Sequence, residues 1–239
     1  MLVLLLLIAP DLPGRAAPPQ DPSVSAAAPS MDKDRTLSPI KGERALAPRR
    51  EDDRLAHIAR YIAAIRSLKA RFVQMNPDGS RHEGTFLFER PGRLRFAYDD
   101  GTPLLLVSDG RRLTFIDYDS GQVTRWPIRD TPLGLLASAK SADEILRSSA
   151  IRGVRPGPLP HLLWLDTADP EHPESGAASF LFASSDQGLT WLGWRIVEPR
   201  GAVTEVRLFD PTLNIEIAES AWRFKDPRVI GKRRRRRMR

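Results

Sequence analysis

The feature that most constrains this chain is a succession of short runs rich in Phe, Leu, Val, Tyr and Trp. They are cut apart by the pairs Asp78-Gly79, Pro91-Gly92, Asp100-Gly101, Asp109-Gly110, Ser120-Gly121, Gln187-Gly188 and Arg200-Gly201. Glycine accepts a positive φ without steric cost, so these pairs read as hairpin connections. A spacing of roughly 8–12 residues between turns describes an antiparallel meander. A parallel sheet would need a helix between strands, and only one interruption offers that.

The interruption opens at Thr131-Pro132, a cap and first-turn pair, and runs through Leu133, Leu135 and Leu136. Ser141 followed by Glu144 is a capping-box pattern for a second short helix through Ile145 and Leu146. Strands resume near Ile151 and over residues 161–166, 178–183, 190–197 and 202–209. Ahead of the first turn, Leu55, Ile58, Ile62, Ile65 and Leu68 recur at three- and four-residue steps, predicting an amphipathic helix from Glu51 through about Ala70. The expected class is α+β: one curved antiparallel sheet of roughly ten strands, one N-terminal helix and two short helices inserted mid-chain.

The flanks of this domain read differently. Residues 2–9 are uninterruptedly apolar and stop at Pro10, too short for a membrane-spanning helix of about 20 residues but suited to a signal-peptide core over residues 1–17. No basic stretch precedes the run, which leaves a start codon further upstream open. Eight prolines between Pro10 and Pro48, with no periodicity, mark residues 18–50 as an unfolded linker. The net charge of +7 resides in the tail 229–239: seven of the 37 Lys and Arg lie there, leaving 30 against 30 acidic residues elsewhere. Residues 1–228 together are thus formally neutral, with residues 51–228 left as the expected domain.

Several chemistries are excluded. With no cysteine, the sequence has no thiolate nucleophile, disulfide, thiolate metal site or lipid-modified cysteine. His57, His82, His161 and His172 lack ligand spacing, so neither metal nor other cofactor is expected. Nucleophile elbows and phosphate-binding glycine loops are missing, and Asp117-Tyr118-Asp119 is a hairpin turn in which Asp serves local hydrogen bonds. An enzyme is not expected.

What is present is an apolar wall. Strand alternation puts Gly84, Phe86, Phe88 and Arg90 on one face and Glu83, Thr85, Leu87 and Glu89 on the other. Beyond the Pro91-Gly92 turn, Leu94, Phe96 and Tyr98 share a face, so two adjacent strands present one wall with Arg90 at its rim. The alternative is half of an ordinary sandwich core, and for Arg90 a solvent-facing residue before a proline. Against the sandwich stands the small helical content, which cannot cover both faces of so many strands. Apolar lining with one polar group at the edge is how ligand pockets are built, and Arg90 has the donors to bond helix carbonyls or lipid headgroup oxygens.

These residues carry a family resemblance. Phe72-Val73-Gln74, Gly84-Thr85-Phe86, Arg90-Pro91-Gly92-Arg93-Leu94-Arg95-Phe96, Leu106-Val107-Ser108-Asp109-Gly110, Thr131-Pro132-Leu133 and Phe224-Lys225-Asp226-Pro227-Arg228 stand in an order that resembles the LolA family of periplasmic outer-membrane lipoprotein carriers, over about residues 55–228. The resemblance implies an incomplete β-barrel with a helical lid, residing in the periplasm as a monomer. It implies acylated lipoproteins as cargo, received from an inner-membrane ABC transporter and passed to an outer-membrane acceptor. Arg90 then matches the family arginine that bonds the lid, and Leu94 stands where many members have Phe. Acyl chains would meet Phe86, Phe88, Leu94, Phe96, Leu104, Leu106 and Trp126, with Leu55, Ile58 and Ile62 of the lid covering them.

Two rival readings follow from the same residues. One keeps the fold and makes the protein a periplasmic sensor that binds a lipid or displaced lipoprotein and regulates a partner. The other assigns the arginine-rich tail to nucleic-acid phosphates or anionic lipid headgroups; without an aromatic platform beside it, no nucleic-acid partner is expected.

Overall fold

The computed structural model describes residues 47–131, 133–171, 173 and 176–228. The expected signal peptide, most of the expected linker, Pro132, His172 and the basic tail lie outside the described residues. Helix α1 (Ala47–Ala64) leads into β1 (Ser67–Met75), β2 (Arg81–Glu89), β3 (Arg93–Tyr98), β4 (Leu104–Asp109), β5 (Arg112–Asp117) and β6 (Gln122–Pro127). A 3-10 turn (Ile128–Asp130) and the short helices α2 (Gly134–Ser138) and α3 (Ala142–Leu146) follow. The second half comprises β7 (Ile151–Pro156), β8 (Leu162–Ala168), β9 (Ala177–Ser185), β10 (Gly188–Val197), β11 (Val203–Leu213) and a 3-10 turn at Glu219–Trp222.

All eleven strands form one sheet in the order β6-β5-β4-β3-β2-β1-β11-β10-β9-β8-β7. Each ladder is antiparallel. The first and last strands lie side by side in the middle, and β6 and β7 are edges that do not pair with each other, so the barrel stays unclosed. The segment joining those edges carries α2 and α3. The α+β class and the single curved sheet are therefore as expected, and all seven turn glycines have positive φ.

The main difference concerns the first helix. It begins at Ala47, before Glu51, and ends at Ala64 rather than near Ala70. Leu68 lies three residues beyond Ile65 but also starts the period-2 series Leu68, Ala70, Phe72 and Gln74, all buried. The strand prevails because β1 is paired on both sides, with β2 and β11, so its backbone groups are satisfied by two ladders. Two smaller differences concern His161, which precedes β8 rather than opening it, and Thr131. The Thr131 hydroxyl donates backwards to the Ile128 carbonyl at 2.7 Å and does not cap α2. Ser141 does cap α3, accepting from the Glu144 amide at 3.2 Å, while the Glu144 carboxylate reaches the Lys140 amide at 2.8 Å.

The inner face of the sheet and one stripe of α1 form a single core that includes Ile58, Ile62, Ile65, Phe72, Phe86, Phe96, Phe180 and Trp194. On the outer face of β3 to β6 lies the C-terminal strap, residues 219–226. Arg93 pairs with Glu219 at 2.6 Å and Arg95 donates to the carbonyls of Ala221 and Arg223 at 3.0 and 3.2 Å. Phe224 packs on Leu105, Val107 and Ile116.

Candidate functional site

Register assembles the apolar wall. Phe86 stands opposite Phe96 and Phe88 opposite Leu94 across β2 and β3, and Phe96 stands opposite Leu106 across β3 and β4. All five are buried, and the Phe86 and Phe96 rings lie 4.7 Å apart. Leu104 and Trp126 are half-buried and pack against the same core, as does Leu55 of α1. Ile58 and Ile62 are buried at the centre of the helix face. Every apolar residue singled out for acyl or lid contact thus belongs to one cluster, with α1 occupying the concave face that the sheet leaves open.

The other half of the wall comes from β9 and β10 and escaped the sequence reading. Trp194 lies 5.5 Å from Phe86 and 5.8 Å from Phe96, and Trp191 lies 5.4 Å from Trp194. Trp191 and Trp194 are an odd number of residues apart, so strict alternation puts them on opposite faces. A bulge between Trp191 and Gly193 shifts the register and returns both to the interior. Pairing of β10 with β11 begins only at Gly193, and the Trp191 amide donates to the Tyr61 phenol oxygen of α1 at 3.0 Å. Burial raises the Tyr61 phenol above its ordinary value, and the Trp191 amide pulls it partly back.

Arg90 stands at the rim of the wall, half-buried, its guanidinium 5.6 Å over the Phe88 ring. Its Nε donates to the Ile65 carbonyl at 2.7 Å and Nη2 to the Ile62 carbonyl at 2.8 Å, both at the C-terminal end of α1; Nη1 donates to Ala139, between α2 and α3. The last carbonyls of a helix have no intrahelical donor, so a cation there satisfies them and complements the helix dipole. Burial lowers the Arg90 pKa and the nearby Glu144 carboxylate opposes that shift; an arginine so placed remains charged.

Local geometry fixes the latch. The Arg90 amide donates to Arg66 at 2.8 Å and the Gly92 amide to Ala137 at 2.9 Å. Gly92 has φ +73°, and a Cβ there would meet the Gly110 carbonyl at 2.7 Å, so the Pro91-Gly92 and Asp109-Gly110 turns interlock only as glycines. Ser108, fully buried, ties them by donating to the Gly92 carbonyl at 2.7 Å. The Asp117 carboxylate accepts from the Asp119 and Ser120 amides at 2.9 and 3.2 Å, the local role expected for that turn. His82 Nδ1 lies 3.0 Å from Asp100 and 3.0 Å from Thr102, a pair rather than a ligand set. Among the described residues no group of three or more His, Asp or Glu could hold a metal, and no helix is long and apolar enough to cross a membrane.

The chain is similar to several known proteins. An outer-membrane lipoprotein carrier protein of Methylibium petroleiphilum is 39% identical over 88 residues, 33% of this chain and 43% of that protein. One from Alkalilimnicola ehrlichii is 40% identical over 81 residues, 32% of this chain and 38% of that protein; the matched stretch thus spans less than half of either relative. The carrier protein of Legionella pneumophila strain Corby is 27% identical over 71% of this chain and 84% of its own length. Among solved structures, an uncharacterized conserved protein from Thermus thermophilus aligns at TM-score 0.44 and 9% identity, over 73% of this chain and 95% of that one. The family described as outer membrane lipoprotein carrier protein LolA matches over residues 63–225, and on that match, with its open sheet and latched helix, this chain belongs to the LolA family.

Proposed function

We propose that this protein is a periplasmic, non-enzymatic carrier that takes the acyl chains of lipoproteins leaving the inner membrane and delivers them to the outer membrane. One observation carries the reading: the concave face of an unclosed sheet is lined by aromatic and aliphatic side chains and plugged by a separate helix, which polar contacts hold in place. A structural core alone would not need a latch on one removable element.

The physical need is clear. Each methylene moved from water into an apolar site gains about 0.8 kcal/mol, so a lipoprotein with three long acyl chains faces a cost of tens of kcal/mol in entering water bare. Contacts with Phe86, Phe88, Leu94, Phe96, Leu104, Leu106 and Trp126 replace membrane contacts when α1, with Leu55, Ile58 and Ile62, moves aside. Apolar contacts are non-directional, so cargoes with different protein parts are accepted alike. The equilibrium runs between a closed state plugged by α1 and an open, loaded one. An inner-membrane ABC transporter supplies the energy of loading, an outer-membrane acceptor receives the cargo, and the carrier acts as a monomer.

The test adds purified protein, or an Arg90→Leu variant, to spheroplasts making labelled lipoproteins and measures label released in a one-to-one soluble complex. Release by the wild type, with changed release or onward transfer by the variant, supports both carrier and latch. Absence of release beside an active transporter would overturn the carrier role and favour a sensor that binds lipid to regulate a partner.

A further inference from the structure

The β10–β11 register begins at Gly193, two residues beyond Trp191, and in the closed state the Trp191 amide donates to the phenol oxygen of Tyr61 at 3.0 Å. The amide's surroundings are apolar: Trp191 is 5% exposed, with Phe180 at 6.2 Å and Trp194 at 5.4 Å ring to ring. Tyr61 belongs to α1, the element that leaves when the cavity opens. A buried N–H without an acceptor costs free energy, and hydrocarbon cannot supply one. The occupant that displaces α1 must therefore bring an oxygen to this point or leave the donor unpaired.

We propose that the Trp191 main-chain amide is a ligand subsite that accepts the carbonyl oxygen at the head of an acyl chain, an ester or amide linkage, and that Tyr61 is its stand-in when the cavity is empty. The inference rests on the carrier reading and gives it a polar specificity element. The apolar wall holds chains of any kind; the Trp191 donor distinguishes an acyl chain from an alkyl one. The exchange conserves hydrogen bonds, phenol oxygen for carbonyl oxygen, so loading does not leave the amide unpaired.

The experiment uses the full chain, labelled with 15N, and two soluble probes of equal chain length below their micellar concentrations: dihexanoyl-phosphatidylcholine and its dihexyl ether analogue. Affinity is read from displacement of a cavity-bound fluorescent dye, and the hydrogen bond from the Trp191 amide proton shift. Expected is binding about fivefold tighter for the ester, the ratio of one modest hydrogen bond. The amide proton should stay at its hydrogen-bonded position with the ester and move upfield with the ether. In Tyr61→Phe the phenol oxygen is gone from the closed state, so both probes bind more tightly while the ester-to-ether ratio is kept; the wild-type comparison stands by itself should this variant fail to fold. Equal affinity with equal amide shifts, both probes displacing the dye, overturns the subsite and leaves the carrier reading intact. Failure of both probes to displace the dye overturns the carrier reading with it.

Discussion

Arg90 commits all three guanidinium nitrogens to main-chain carbonyls, Ile62 in the last turn of α1, Ile65 just beyond its end and Ala139 on the neighbouring segment. Hydrogen bonds from charged donors contribute about 1.5–3 kcal/mol each, and a leucine in their place recovers part of that by apolar burial. Arg90→Leu is therefore expected to lower stability by about 2–4 kcal/mol in urea unfolding and to raise binding of an apolar dye, because α1 loses its clasp. A change below about 0.5 kcal/mol would mean the clasp is not formed in solution. Phe86, 1% exposed and in ring contact with Phe96, Trp191 and Trp194, is the packing counterpart. Phe86→Ala is expected to cost about 3–5 kcal/mol by the same measurement. Arg90's place at the rim was legible, since period 2 from Phe86 and Phe88 leads to it. Its partners were not, because they lie 25, 28 and 49 residues away and are carbonyls that every residue carries.

At the scale of elements, the strap is the piece most open to test. The Arg228 side-chain hydrogen bond, then its amide and the charges of Arg228 and Arg125, hold the Asp226 carboxyl down at about 2 against an ordinary 3.8. A carboxyl lowered in the folded state contributes stability above its unfolded value and loses that contribution as pH falls through the folded one. Amide protection over residues 219–226, relative to the intrinsic exchange rate at each pH, is therefore expected to be unchanged from about pH 5 to 8 and to fall from about pH 4 to 2, with Asp226→Asn removing the transition. Ser141→Ala should cost about 1 kcal/mol in thermal unfolding, the usual worth of an N-cap, and the sequence already showed that box. The end of α1 was harder to read, because Leu68 fits a helical step from Ile65 as well as the alternation of β1. Only the two ladders flanking β1 decide between them.

For the whole molecule, opening and loading should move two observables in opposite directions. A ligand that binds only the folded carrier, at about 100 times its Kd, adds about 2.7 kcal/mol of global stability. The same ligand displaces α1, so trypsin should cut faster after the exposed Arg54 and Arg60 while the sheet becomes more resistant. Cleavage slowed along with everything else would show that α1 is fixed core and not a lid. The sequence by itself determined the class, the meander with its glycine turns, the Phe86 and Phe96 wall and the rim arginine. Period and turn chemistry are local properties, written within a few residues of each other. Only the tertiary structure decided that β1 and β11 meet in the middle of the sheet, that β6 and β7 stay apart as its edges, and that α1 fills the concavity between its faces. It also decided that a bulge turns Trp191 and Trp194 inward together and that the Trp191 amide meets Tyr61 of α1. Those outcomes depend on which distant strands pair and how the sheet curves, and pairing between segments far apart in the chain leaves no mark on the period of either one.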